Sequence, residues 1–294
     1  MRILWLTLCV LWIGLTPAWA EDFKTVEVIP GVYTVAPASG QGANATFLVT
    51  EEGVLVVDTG GSPAAGRALK QAIAQVTPRP VILVINTHHH PDNTYGNEVF
   101  PEVPRIAHEE AARLLLGRTG KKALARYQAE HPQSPLTLTP PNITFQKEMS
   151  LRFGKFFLRL IHPPAAHTEG DLYVYVPSHR LIITGGLVNK GHLPDLSEAG
   201  IDAWIQALRR MEDLDAETII PGYGPWGGKP TITLMKHYLM ELKRYVQDAL
   251  QDGGSLPAIQ GKVRGLLQPK YGTWAGQERM DANIARAFFE YIAP

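Results

Sequence analysis

The stretch from residue 53 to residue 92 constrains this chain most. It holds two short runs of aliphatic, mostly β-branched residues, "VLVV" (54–57) and "VILVI" (81–85), on either side of an alanine-rich segment. Apolar runs this short, bounded by turn residues, read as buried strands. "DTGGSP" (58–63) closes the first strand and opens a helix, with Ser62 placed as N-cap and Pro63 as first helical residue. That helix, over 64–75, feeds the second strand, which ends in "NTHHHPDNTYGN" (86–97). The strand, helix, strand unit therefore delivers a histidine cluster to the carboxyl end of a buried strand, where α/β sheets place their chemistry.

The flanking sequence extends this unit both ways. Between Val26 and Val57, "VEVI", "VYTV", "TFLV" and "VLVV" are separated by Gly, Pro, Asn and Glu-Glu-Gly turns, which predicts consecutive strands with tight connections. A helix rich in Ala and Leu is expected over residues 108–128, then a Pro-rich connection, "HPQSPLTLTPPN". Strands follow at "ITFQ", "LRFG", "FFLRLIH", "LYVYVP" and "RLIITGG". In "DAWIQALRRMEDL" the residues Trp204, Ile205, Leu208, Met211 and Leu214 recur at helical spacing and mark a core face. "ETIIPGYGPWGG" is one more strand running into a Gly-rich loop. Both "GVLVVDTGG" and "HRLIITGG" are buried strands ending in small-residue turns, a faint duplication that fits two β-rich halves flanked by helices. The expected architecture is an α/β (α+β) four-layer sandwich over residues 21–228, with three helices over 229–294 packed on it as a C-terminal tail.

The opening "MRILWLTLCVLWIGLTPAWA" reads as a secretory signal peptide, residues 1–20, cut after Ala20. Its apolar stretch is shorter than the ~20 residues of a spanning helix. A periplasmic or secreted protein with no stable membrane insertion is expected. Removal leaves 294 − 20 = 274 residues without cysteine, since Cys9 lies in the leader, so metal must be held by His, Asp, Glu or Asn. Charge is balanced at 27 basic against 28 acidic residues once Arg2 is gone, with no basic block. Nucleic acid is therefore a poor partner, and a small-molecule substrate is expected.

His88 and His90 are two apart on a strand-end turn, so their rings can converge on one point; Asp92 lies two further on, and His167 follows a later strand in "PPAAHTEGD". Three neutral imidazoles suit zinc, with a fourth position left open to water. "HPD" also occurs between the helices of co-chaperone J-domains, but here it follows a strand. His108, His131, His179, His192 and His237 lack ligand spacing and are expected at the surface or in hydrogen bonds, and His162 at a strand end. Asp58 either supports the site through hydrogen bonds or only shapes its turn.

With "VVDTG", "THHHPDNTYGN", "AHTEGD", "IITGG" and "IIPGYGP" in this order, residues 26–228 resemble the metallo-β-lactamase superfamily. The connection "GHLPDLSEAGIDAWIQALRRM" and the ending "NIARAFFEYI" are most similar to an exported branch found beside quinoprotein dehydrogenase systems, which would admit a redox-protein partner that no residue supports. The resemblance implies the αβ/βα sandwich, a first zinc site of His88, His90 and His167, and Asp92 as the aspartate of a second. Three positions depart from the second site: Asn93 where many members have His, Gly186 in place of a bridging Asp or Cys, and Tyr223 in place of the "PGHGP" histidine. An amide and a phenol are poor zinc ligands, so one ion is expected. His89, Glu169 and Asp171 are weak substitutes: His89 should alternate away, and the two acids cap a turn. Lys190 falls one residue off the place where lactamases grip a substrate carboxylate, and is read as a solvated side chain.

The leading expectation is a hydrolase in which a zinc-bound hydroxide attacks an ester, amide, lactam or thioester. Asp92 would act as proton acceptor, and Tyr223 as candidate oxyanion donor or void filler. Two alternatives stay open: a binding protein on a degenerate hydrolase scaffold, with or without zinc, and a β-lactamase. A diiron redox centre is disfavoured by the absence of carboxylate bridges.

Overall fold

The computed structural model describes residues 23–40 and 42–292, so the signal segment and its Cys9 lie outside the described residues. The first half forms β1 (Phe23–Ile29), β2 (Val32–Pro37), β3 (Ala45–Val49), β4 (Val54–Val57), α1 (Pro63–Val76), β5 (Val81–Ile85), a single turn α2 (Pro91–Thr94), β6 (Arg105–His108), α3 (Glu109–Leu116), α4 (Arg118–Glu130) and β7 (Ile143–Phe145). The second half forms β8 (Glu148–Phe153), β9 (Phe156–Ile161), β10 (Tyr173–Val176), β11 (Leu181–Ile183), α5 (Ile201–Asp213), β12 (Thr218–Ile220), α6 (Pro230–Gln251), α7 (Leu256–Tyr271) and α8 (Met280–Ile292). Strands β1 to β7 lie side by side in chain order, antiparallel as far as β4 and parallel from β4 to β7. The other sheet runs β12-β11-β10-β9-β8, with only the β11–β12 pair parallel.

Side-chain alternation shows why these strands are apolar throughout. In β4, Leu55 and Val57 point inward and meet Leu158, Val174 and Ile183 of the other sheet, while Val54 and Val56 point outward onto Leu69 and Ile73 of α1. In β11, Leu181 and Ile183 face inward, and Ile182 faces outward with Trp204, Leu208 and Met211 of α5. Each sheet is thus covered on both faces, which gives the expected αβ/βα four-layer sandwich. Ser62 caps α1, its Oγ accepting from Ala65 N at 3.1 Å, with Pro63 at the first turn as read.

One helix differs from its expected form. Residues 108–128 split into α3 and α4 at Gly117, which turns the chain in an extended conformation. The two helices then pack so closely that a Cβ on Gly120 would stand 1.8 Å from the Leu115 carbonyl oxygen. Helices α6 to α8 do not form a separate body: Met235, Leu239, Val263, Leu267 and Ile284 share one apolar cluster with α5 and the outer face of the second sheet. Among the described residues no helix is long and apolar enough to cross a membrane.

Leu267 is fully buried in that shared cluster. Leu267→Ala should lower the unfolding free energy by about 2–5 kcal/mol. Circular dichroism and tryptophan fluorescence should report one common transition in denaturant; two separated transitions would mean that α6 to α8 fold independently.

Candidate metal centre

The turn after β5 is built on amides. Asn86 and Asn97 exchange side-chain hydrogen bonds, Asn97 Nδ2 donating to Asn86 Oδ1 at 2.8 Å and Asn86 Nδ2 to Asn97 Oδ1 at 3.1 Å. Thr87 donates from its backbone N (2.8 Å) and its Oγ1 (2.7 Å) to the two carboxylate oxygens of Asp58. Asp58 sits in the left-handed region at φ 60, which costs a non-glycine residue on the order of 1–3 kcal/mol. The carboxylate's two bonds to Thr87 offset that cost. Burial pushes the Asp58 carboxyl up to about 8, against those donors.

Three imidazoles meet here, and each has one nitrogen already engaged. When Asp58 is ionised and takes the Thr87 hydroxyl proton, that hydroxyl accepts from His88 Nδ1–H at 3.0 Å and turns the Nε2 edge inward. His167 Nδ1 donates to the Asp195 carbonyl at 3.1 Å, leaving Nε2. His90 Nε2 faces Glu198 Oε1 at 3.6 Å, leaving Nδ1. The remaining nitrogens converge: His90 Nδ1 lies 3.0 Å from His167 Nε2, and one ligand atom from each ring fits within a 4.8 Å group. Burial drives His88 well below its ordinary value and His167 to about 3, so both are neutral and present lone pairs. Burial also pulls His90 down, but Glu198 together with Asp92 and Asp195 outweighs it and raises that ring overall. Three convergent imidazole nitrogens, with the His88 and His167 rings held neutral and His90 able to give up its Nδ1 proton to an arriving cation, are a donor set that fits a divalent metal ion.

Asp92 stands outside this trio. The Tyr223 hydroxyl donates to Asp92 Oδ2, and burial together with that carboxylate raises the phenol above its ordinary value, so it stays a donor. Asn93 turns inward, its Nδ2 3.3 Å from His88 Nε2 and its Oδ1 buried without a partner. Gly186 leaves no room for a side chain, because a Cβ there would stand 2.6 Å from His167 Cδ2 and 3.0 Å from His88 Cε1. Asp171 caps the His167 turn, accepting from the backbone N of His167 (2.7 Å) and Thr168 (2.9 Å). Glu169, expected to share that task, instead pairs with Arg113 at 2.8 Å on the surface.

His89 does turn away from the trio, but into the protein: it is 3% exposed, with Nε2 3.4 Å from Glu198 Oε2. The two imidazoles beside Glu198 hold its carboxyl well below the usual range. Glu198, in "LSEAGI", carries no spacing signal that links it to residues 89 and 90. His108 and His162 stack at 3.6 Å and bond to the carbonyls of Gln146 and Asp171, a structural pair away from the centre. His192 donates to the Gly40 carbonyl from Nε2 or to the Lys190 carbonyl from Nδ1, while its ring lines the cavity above Asp92. Lys190 donates to the Trp226 carbonyl at 3.3 Å.

Two sheets under outer helices, with three convergent imidazoles at the strand ends, define a metal-binding αβ/βα sandwich. The family model for the metallo-beta-lactamase superfamily matches residues 38–223, and the chain belongs to that superfamily. A type 2 metallo-beta-lactamase of Elizabethkingia meningoseptica is 23% identical over 77% of this chain and 86% of its own length. The alpha subunit of 2,4-dinitroanisole O-demethylase from Nocardioides sp. is 29% identical over 70% of this chain, which spans 58% of that protein. Among solved structures, a metallo-beta-lactamase from Pontibacter korlensis aligns with TM-score 0.59 and 22% identity, over 74% of this chain and 99% of its own. The sec-alkylsulfatase Pisa1 from Pseudomonas sp. aligns with TM-score 0.73 and 17% identity, over 92% of this chain and 50% of its own.

Gly186→Ala forces a methyl group into the space of two ligand rings, and overpacking of this kind costs about 1–3 kcal/mol. Competition titration with a zinc chelator should show binding roughly ten- to a hundredfold weaker; unchanged affinity would mean the rings give way freely.

Proposed function

We propose that this protein is an exported zinc hydrolase with one ion per chain, acting on a carbonyl-type bond: an ester, amide, lactam or thioester. The observation that carries the reading is the convergence of His88 Nε2, His90 Nδ1 and His167 Nε2 beside Asp92, which lines a cavity of about 1030 Å³. When bound, the ion supplies Lewis-acid activation of water near neutral pH. Asp92, on the cavity side, takes the proton that the attacking water releases. Tyr223 has a single proton and commits it to Asp92, so its role here is to orient that carboxylate. It serves as an oxyanion donor only when an entering substrate draws that proton away.

Support for a single ion comes from the three replaced positions. Gly186 offers no donor and no space, Asn93 packs its amide on His88, and the Tyr223 phenol is held protonated. Export rests on residues 1–20 alone. The named relatives act on different bonds, as lactamase, O-demethylase and alkylsulfatase, so superfamily membership does not choose the substrate.

The purified chain should carry one zinc by elemental analysis and turn over members of a panel of esters, lactams and thioesters. Asp92→Ala should reduce kcat roughly 10²- to 10⁴-fold, and Tyr223→Phe should reduce it less while zinc content holds. Full activity in Asp92→Ala, or two ions in equal occupancy, would overturn the assignment. Bound zinc without any turnover would favour the binding protein instead.

A further inference from the structure

The cavity above Asp92 and Tyr223 is walled partly by residues beyond the matched family region. Gly276 and Arg279, between α7 and α8, line it, as does Arg67 of α1. Nine of the fifteen arginines among the described residues make no ion pair, and of these nine Arg67 and Arg279 line the cavity. Arg113, Arg126, Arg159, Arg180, Arg264 and Arg286 are each ion-paired. Arg67 and Arg279 make no ion pair among the described residues, although Arg279 is partly buried. Its one hydrogen bond runs from Nη1 to the Leu193 carbonyl at 3.2 Å, so most of its five N–H donors are uncommitted. Glu278 lines the same wall without pairing to it. Arg279 also acts electrostatically on the Tyr223 phenol, which places its charge close to the reacting end of the cavity.

A partly buried guanidinium without a counterion is costly unless an anion arrives to meet it, and its planar fork matches a carboxylate. We propose that Arg279, assisted by Arg67 in the wall of the same cavity, anchors a carboxylate on the substrate, so that the enzyme selects anionic acyl compounds whose charge lies away from the bond cleaved beside Asp92. This inference rests on the hydrolase reading for the cleavage step; the anion site itself does not. The C-terminal helices thereby become part of the substrate site as well as of the core.

The test compares mono-(4-nitrophenyl) glutarate with its neutral methyl ester, and separately measures binding of glutarate monoanilide by titration calorimetry, with zinc content checked in each variant. The wild-type protein should prefer the anionic ester. Arg279→Ala should lower the anionic-to-neutral ratio of kcat/KM about ten- to a hundredfold, chiefly through KM, and weaken anilide binding similarly. Arg279→Lys should recover part of the loss, and Arg67→Ala should give a smaller fall. If neither ester turns over but the anilide binds in an Arg279-dependent way, the hydrolase reading fails and the anion site stands. A ratio near one, unmoved by Arg279→Ala, overturns the anion site whatever the turnover. Should Arg279→Ala lose zinc through its bond to Leu193, an unchanged ratio in Arg67→Ala overturns the site in its place.

Discussion

The centre depends on which nitrogen of each imidazole is already occupied. A histidine ring offers two chemically similar nitrogens, and three rings left to themselves could meet in many tautomeric combinations. Here the Thr87 hydroxyl, the Asp195 carbonyl and the Glu198 carboxylate each engage one nitrogen and direct the other inward. Those three partners come from three places: the end of β5, and two points in the long connection between β11 and α5. Closing the sandwich is therefore what makes the ligand set, because the two sheets bring His88 and His90 from one side and His167 from the other. The Leu172 backbone N donates to the Thr87 carbonyl at 2.7 Å, which stitches the sheets together at that junction.

Much of this was legible in the sequence, for identifiable reasons. The strand runs and the capped helix at 63–76 are local signals, set by side-chain shape and by Ser62 and Pro63. The His-x-His spacing on a strand end and a later His after a strand gave the ligand trio. The break at Gly117 was not legible, since the Ala and Leu pattern continues through it and the cause is a close backbone approach. Glu198 was missed for a similar reason: its meeting with His89 and His90 is set by the path of a loop more than a hundred residues later. Glu169 and Asp171 have the same charge and neighbouring positions, yet only Asp171 turns into the His167 loop.

The helices after residue 228 belong to the fold in a way the family match does not reveal. That match stops at residue 223, whereas the alkylsulfatase alignment covers 92% of the chain. Residues 1–228 are 228 of 294, or 78%, so an alignment of that extent includes a large part of α6 to α8. The shared apolar cluster gives the physical reason: without those helices the outer face of the second sheet and of α5 would expose Tyr238, Leu242 and Leu267 partners to water.

The loop that supports His167 is itself tied to the last part of the chain. Asn283 donates to the Pro194 carbonyl at 3.0 Å and Arg279 to the Leu193 carbonyl, the two residues just before Asp195, whose carbonyl receives the His167 ring. During synthesis these two residues emerge after every other member of the site. The imidazole trio is thus translated well before the residues that tether the loop behind His167.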